Sequence, residues 1–141
     1  MRGLKTLHLR MQRHCENGKA IAHFLKAHPK VDKVYWPGFS DHANHEIAKK
    51  QMRDFGGMIS FSLKDGSIEN TFKVASSLHV FSLAESLGGV ESLINHPASM
   101  THASIPKAER EKAGVTDSLL RLSVGVEDID DLINDLNSAL A

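Results

Sequence analysis

Ile59-Ser60-Phe61-Ser62-Leu63 alternates apolar and small polar side chains one by one, the period of a β-strand that buries one face only. Gly56-Gly57 precedes this run and the turn pair Asp65-Gly66 follows it, so the strand is bounded at both ends. Downstream, Ile68, Phe72, Ala75 and Leu78 fall on one helical face before Val80 to Leu83 resumes an extended pattern. Upstream, Val31 to Trp36 reads as a short strand closed by Pro37-Gly38. Asp41 is placed to cap a helix running through Met52, which the paired glycines end.

Farther out, Leu4, Leu7, Met11, Gly18, Ile21 and Leu25 lie on one stripe of a long helix over about residues 4–27. Pro29 disfavours helix at His28 and ends it. So long an opening helix points to a bridge to something upstream. Ser86 to Ala103 holds Gly88-Gly89 and no clean period, which predicts loops around a short strand. Pro106 opens a short helix through Lys112, and Leu119 to Val126 forms the next strand. Glu127 and Asp128 stand at the amino end of a last helix, where negative charge is favoured, with Ile129, Leu132, Ile133, Leu136 and Leu140 as its buried stripe. The expected fold class is α+β, a mostly antiparallel sheet covered by helices, in a single domain over residues 1–141. Alternating helices and strands also permit a parallel sheet, so strand direction stays open on this pattern.

Composition narrows the function. With 141 residues and 41% hydrophobic side chains the chain can bury one core. Lys plus Arg and Asp plus Glu number 17 each, so no net field draws nucleic acid or an anionic membrane. The single cysteine, Cys15, has no internal disulfide partner and no nearby pattern for a Cys-His nucleophile; it reads as a small core or interface residue. The leucines of the basic amino end are interrupted by charge, and no apolar run approaches a membrane span, which points to a cytoplasmic protein.

Arg121 is the most informative residue, because it lies inside Leu119-Leu120-Arg121-Leu122-Ser123-Val124, where a charge must be paired or meet a ligand. One reading is a structural ion pair with Glu127 or an aspartate. The other is a bidentate clamp on a substrate carboxylate, which suits the planar guanidinium. Both stay open on these residues. Glu85-Ser86-Leu87-Gly88-Gly89 follows a strand but has neither phosphate-loop spacing. Nine histidines include His42 with His45 and His96 with His102. Without a zinc-type spacing they read as surface and capping residues, and no metal is expected.

Together these motifs resemble the cysteine and methionine metabolism family of pyridoxal-phosphate (PLP) enzymes, which includes cystathionine γ-lyase, γ-synthase and β-lyase and methionine γ-lyase. The resemblance runs through Arg2 to Leu7, Leu9-Arg10-Met11, Phe55 to Met58, Ser82 to Gly89, Met100 to Ser104, Leu120 to Asp128 and Asp131-Leu132. Departures are few: Ala43 stands where proline is frequent, and Trp36 where tyrosine or histidine is. The resemblance implies the small carboxy-terminal domain of an aspartate-aminotransferase-like, fold type I enzyme. It also implies that Arg121 binds the substrate α-carboxylate, Ser86 helps place it and Thr101 lines the same site. Glu85 occupies a position that is acidic in many cystathionine-handling members and apolar in methionine γ-lyases, so cystathionine is the implied substrate, with γ-lyase ahead of γ-synthase. PLP is the implied cofactor. Its lysine lies in a family segment before the region matched here, so no catalytic or cofactor-binding residue is expected in this chain, and the chain alone is expected to be inactive. The implied partners are an amino-acid substrate, the PLP-binding domain and further copies in a tetramer. A stand-alone, non-catalytic module of the same fold is the alternative.

Overall fold

The computed structural model describes residues 2–141. The alternating run becomes β2 (Met58–Leu63), which pairs antiparallel with β1 (Val31–Tyr35) on one side and β5 (Leu119–Ser123) on the other. β5 continues antiparallel to β4 (Leu93–Asn95), and β4 pairs in parallel with the two-residue β3 (Ser82–Leu83). The order β1-β2-β5-β4-β3 makes a five-stranded mixed sheet whose pairings are antiparallel except at the last edge. The fold is therefore α+β, as expected, and the pairings settle the strand directions that the sequence pattern left open.

Ile59 and Phe61 of β2, Leu120 and Leu122 of β5 and Ile94 of β4 are essentially inaccessible and belong to one core. That core is completed by Ile21 and Leu25 of α1 (Leu7–Ala27), Val74 and Ala75 of α3 (Ile68–Ser77), and Leu132, Leu136 and Leu140 of α5 (Ile129–Leu140). Side chains alternate across a strand, so β5 turns Leu120 and Leu122 toward this core and Arg121 toward the other face. There Ser60, Arg121 and Asn95 form one cross-strand row.

Helix ends follow local chemistry. Ser67 caps α3 by accepting from Asn70 N at 3.3 Å, and Asp128 caps α5 by accepting from Asp130 N at 2.9 Å. Pro106 immediately precedes α4 (Lys107–Lys112). Two expected starts differ. Residues Arg2–Thr6 form a 3-10 turn ahead of α1, held by the Arg10 guanidinium on Gly3 O. The helix after β1, α2, covers only His45–Gln51, with Asn44 rather than Asp41 before it. Asp41 is instead bonded to Lys26 Nζ at 2.9 Å, while Trp36 to His45 winds through successive turns. β5 also stops at Ser123, because the next backbone groups are engaged elsewhere: Val124 N by Gly57 O and Val126 N by Val90 O.

Candidate functional site

Arg121 is half-buried between fully buried Leu120 and Leu122. Its only hydrogen bond among the described residues runs from Nη2 to the Glu85 carbonyl, at a long 3.5 Å, the outer limit for such a contact. None of the ion pairs among the described residues includes Arg121. The structural ion pair with Glu127 is therefore not formed. Glu127 faces another way, accepting from Ser92 N at 2.6 Å and Ser92 Oγ at 2.8 Å. Three of the nine aspartates are engaged elsewhere, Asp117 with Lys107 and Arg110, Asp41 with Lys26, and Asp135 with three backbone N–H groups, and none of the others pairs with Arg121.

The segment from Ala84 to Ser92 passes beside Arg121 and is tied down repeatedly. Ala84 N donates to Ile94 O at 3.0 Å, and Val126 N donates to Val90 O at 2.9 Å. Gly88 N donates to Ser123 Oγ at 2.8 Å, and Gly125 N to Ser92 Oγ at 2.8 Å. Gly88 has φ +78°, a left-handed conformation that a side chain would strain. Glu85 and Ser86 ride on this loop with exposed side chains, so Arg121, Glu85 and Ser86 come together at one surface. Thr101 is exposed and its hydroxyl bonds to His102 Nδ1 at 2.8 Å; no hydrogen bond joins it to Arg121, Glu85 or Ser86.

Two histidines are not surface or capping residues. His14 lies on the buried side of α1, and its Nδ1–H donates to Val124 O at 2.7 Å. His96 is inaccessible, with Nε2–H donating to Asp117 O at 2.9 Å and Nδ1 bonded to Ser99 Oγ at 2.8 Å. His42 and His45 do serve local turns, through Asn44 N and Pro37 O. Among the described residues no cluster of His, Cys, Asp or Glu is arranged to hold a metal. Cys15 is buried, and that burial pushes its thiol above the ordinary range, partly offset by a hydrogen bond from the Gly56 backbone.

Sequence reasoning did not single out Asn17, whose side-chain amide donates to Gly125 O at 3.1 Å and Glu127 O at 2.9 Å. The signal was available: His14 and Asn17 are polar residues set beside Gly18 and Ile21 on the buried side of α1. A half-free guanidinium beside exposed hydroxyl and carboxyl side chains fits a small ligand that carries a carboxylate. The same residues supply no amine for a cofactor's aldehyde. No lysine is bonded to Arg121, Glu85 or Ser86, and Lys26, Lys30 and Lys107 are bonded to Asp41, Ala141 O and Asp117.

The sequence profile of the Cys/Met metabolism PLP-dependent enzymes matches residues 1–141. A cystathionine β-lyase of Coxiella burnetii is 61% identical over 140 residues, covering 99% of this chain and 36% of the relative. An L-methionine γ-lyase of Fusobacterium nucleatum subsp. polymorphum is 55% identical over 140 residues, covering 99% and 35%. The crystal structure of a cystathionine γ-synthase from Xanthomonas oryzae pv. oryzae, in complex with aminoacrylate and cysteine, superimposes with a TM-score of 0.93 at 49% identity, over 99% of this chain and 36% of that one. The chain thus spans about a third of the length of the curated relatives it matches.

Proposed function

Because this chain belongs to the Cys/Met metabolism PLP-dependent enzymes, we propose that residues 1–141 act as the carboxy-terminal substrate-binding domain of a PLP-dependent enzyme that cleaves cystathionine at a C–S bond. The helix α1, with the 3-10 turn Arg2–Thr6 ahead of it, is then the link to a PLP-binding domain. The observation that carries this reading is Arg121, a guanidinium that no carboxylate neutralises, facing outward beside Glu85 and Ser86. An α-carboxylate supplies the missing acceptor, with two parallel N–H···O bonds across the fork. Ser86 donates its hydroxyl to the same carboxylate, and Thr101 lines the site from the turn after His96. Glu85 accepts the distal ammonium of cystathionine, a group that methionine lacks.

PLP, the family's cofactor, supplies an electron sink when bound, while protein groups orient what reacts. In this reading the cofactor's lysine belongs to the PLP-binding domain and the chain alone is inactive, which fits the absence, among the described residues, of a lysine bonded to Arg121, Glu85 or Ser86. The enzyme is cytoplasmic and tetrameric in this reading. Among the described residues no helix is long and apolar enough to cross a membrane, and the exposed Leu4, Leu7, Leu9 and Met11 give the amino end a face suited to other protein.

γ-Cleavage, which releases cysteine, is favoured by the family likeness of Met100 to Ser104 and Leu120 to Asp128, with γ-synthase next. A second reading, β-cleavage with release of homocysteine, is favoured by 61% identity to a relative of that name. Thiol products formed from cystathionine by the full PLP-loaded enzyme decide between them, and no turnover at all favours a non-catalytic module. Arg121→Ala removes two bonds to a charged partner, each contributing about 1.5–3 kcal/mol. KM should then rise by roughly a hundredfold or more, and an unchanged KM would refute the carboxylate assignment. Arg121→Lys keeps the charge but not the fork, and should lose most of the same affinity.

A further inference from the structure

Asn95 is 1% exposed, and among the described residues its Oδ1 is the one buried side-chain N or O atom without a hydrogen-bond partner. Such a group is costly to leave unmade, and in a native structure it calls for a partner. Asn95 lies directly opposite Arg121 in the β4–β5 ladder, so both side chains leave the same face with Cβ atoms roughly 5 Å apart. On the far side of β4 the chain continues from Leu83 into Ala84, whose side chain has no donor. The donor-rich neighbour in the row is the guanidinium.

Arg121 has the complementary deficit. It carries five N–H donors and no acceptor, yet among the described residues makes one hydrogen bond, Nη2 to Glu85 O at 3.5 Å. A carboxylate on the outer edge of the fork takes two donors and leaves others facing back toward the sheet. We infer that Asn95 is a positioning residue for the carboxylate clamp. Its Oδ1 accepts from a guanidinium N–H that the carboxylate and Glu85 O do not use, and this fixes the plane of the fork when an amino-acid carboxylate binds. This rests on the assignment of Arg121 as that clamp.

The test uses the full-length PLP-loaded enzyme with cystathionine. Asn95→Leu retains the volume and removes the acceptor. KM should rise roughly tenfold, the effect of one hydrogen bond to a charged group, with kcat unchanged. In an Arg121→Ala background the same Asn95 substitution should leave kcat/KM unchanged, because its effect passes through the guanidinium. Equal losses in both backgrounds, or no change in either, would overturn the role of Asn95. An Arg121→Ala enzyme with native KM would overturn the clamp itself, so the two failures are distinguishable. Should Asn95→Leu not fold, a crystal structure of the unsubstituted enzyme with a bound amino acid decides. Asn95 Oδ1 within about 3.2 Å of an Arg121 nitrogen supports the inference, and a gap beyond about 3.5 Å overturns it.

Discussion

Replacing Asp135 by alanine removes three hydrogen bonds at one stroke. Its carboxylate, 8% exposed within α5, accepts from His79 N at 2.8 Å, Val80 N at 2.8 Å and Phe81 N at 3.0 Å. Those bonds tie the last helix to the segment that leaves α3 and enters β3. A hydrogen bond to a charged group contributes about 1.5–3 kcal/mol, but the three donors do not count equally. His79 is exposed and Val80 half-buried, so water can replace the carboxylate there. Phe81 is 2% exposed, and its N–H is left without a partner. The expected loss is about 3–4 kcal/mol. Asp135→Asn keeps one oxygen but turns an NH2 toward the donors, and should lose about 2 kcal/mol. Urea unfolding followed through the fluorescence of Trp36, which is 2% exposed in the core, measures both. A loss below about 1 kcal/mol for Asp135→Ala would show that the 79–81 segment is held by packing rather than by this carboxylate.

Gly18→Ala places a Cβ 2.5 Å from Gly56 O and 2.8 Å from Gly57 Cα, both backbone atoms. The gain of about 1 kcal/mol that alanine brings to a helix interior should thus reverse to a loss of about 1–3 kcal/mol, read as a lowered urea midpoint; a raised midpoint would contradict the packing. Asp117 is held below the ordinary carboxylate range by hydrogen bonds from Lys107 first and Arg110 second. A carboxyl lowered in the folded state contributes stability above its unfolded value of about 3.9 and loses it as pH falls through the folded value. Stability should fall below about pH 5 and fall less steeply in Asp117→Asn; parallel curves would remove Asp117 from that loss.

The main elements were legible because their periods are clean. β2 alternates in sequence from Ile59 to Leu63, although Ser62 is buried as well, and α5 keeps Leu132, Leu136 and Leu140 of its stripe buried. What escaped the pattern is decided at a distance. The extended run at Val80 to Leu83 and the short strand within Ser86 to Ala103 are present as β3, of two residues, and β4, of three, but their parallel pairing is a tertiary choice. Asp41 carries a good capping side chain, but a lysine 15 positions earlier takes it. Glu127 sits where a helix amino end favours it, yet its carboxylate is spent on Ser92. That choice left Arg121 without the partner that its apolar surroundings seemed to demand. Arg121 itself was legible from the sequence as a charge in an apolar strand; Asn95, Asn17 and Asp135 were not, since a polar residue beside a buried stripe shows no partner until the chain is folded.

The short segment Val124 to Glu127 explains why Glu85 and Ser86 are held where they are. From one side α1 reaches it through His14 on Val124 O and Asn17 on Gly125 O and Glu127 O. From the other side the 84–92 loop reaches it through Val90 O, Ser92 N and Ser92 Oγ. One residue earlier, Ser123 Oγ holds Gly88 N. Glu85 and Ser86 therefore sit on a loop anchored through buried Ser92 and Ser123, and the Val124 to Glu127 backbone beside it is itself held by the long helix. A shift of α1 cannot be absorbed at the His14 and Asn17 contacts without moving the backbone to which the loop is bonded, since protein interiors are packed too closely to deform continuously. The geometry around Arg121 is thus set from α1 as well as from its own strand, although no α1 side chain is bonded to Arg121, Glu85 or Ser86 among the described residues.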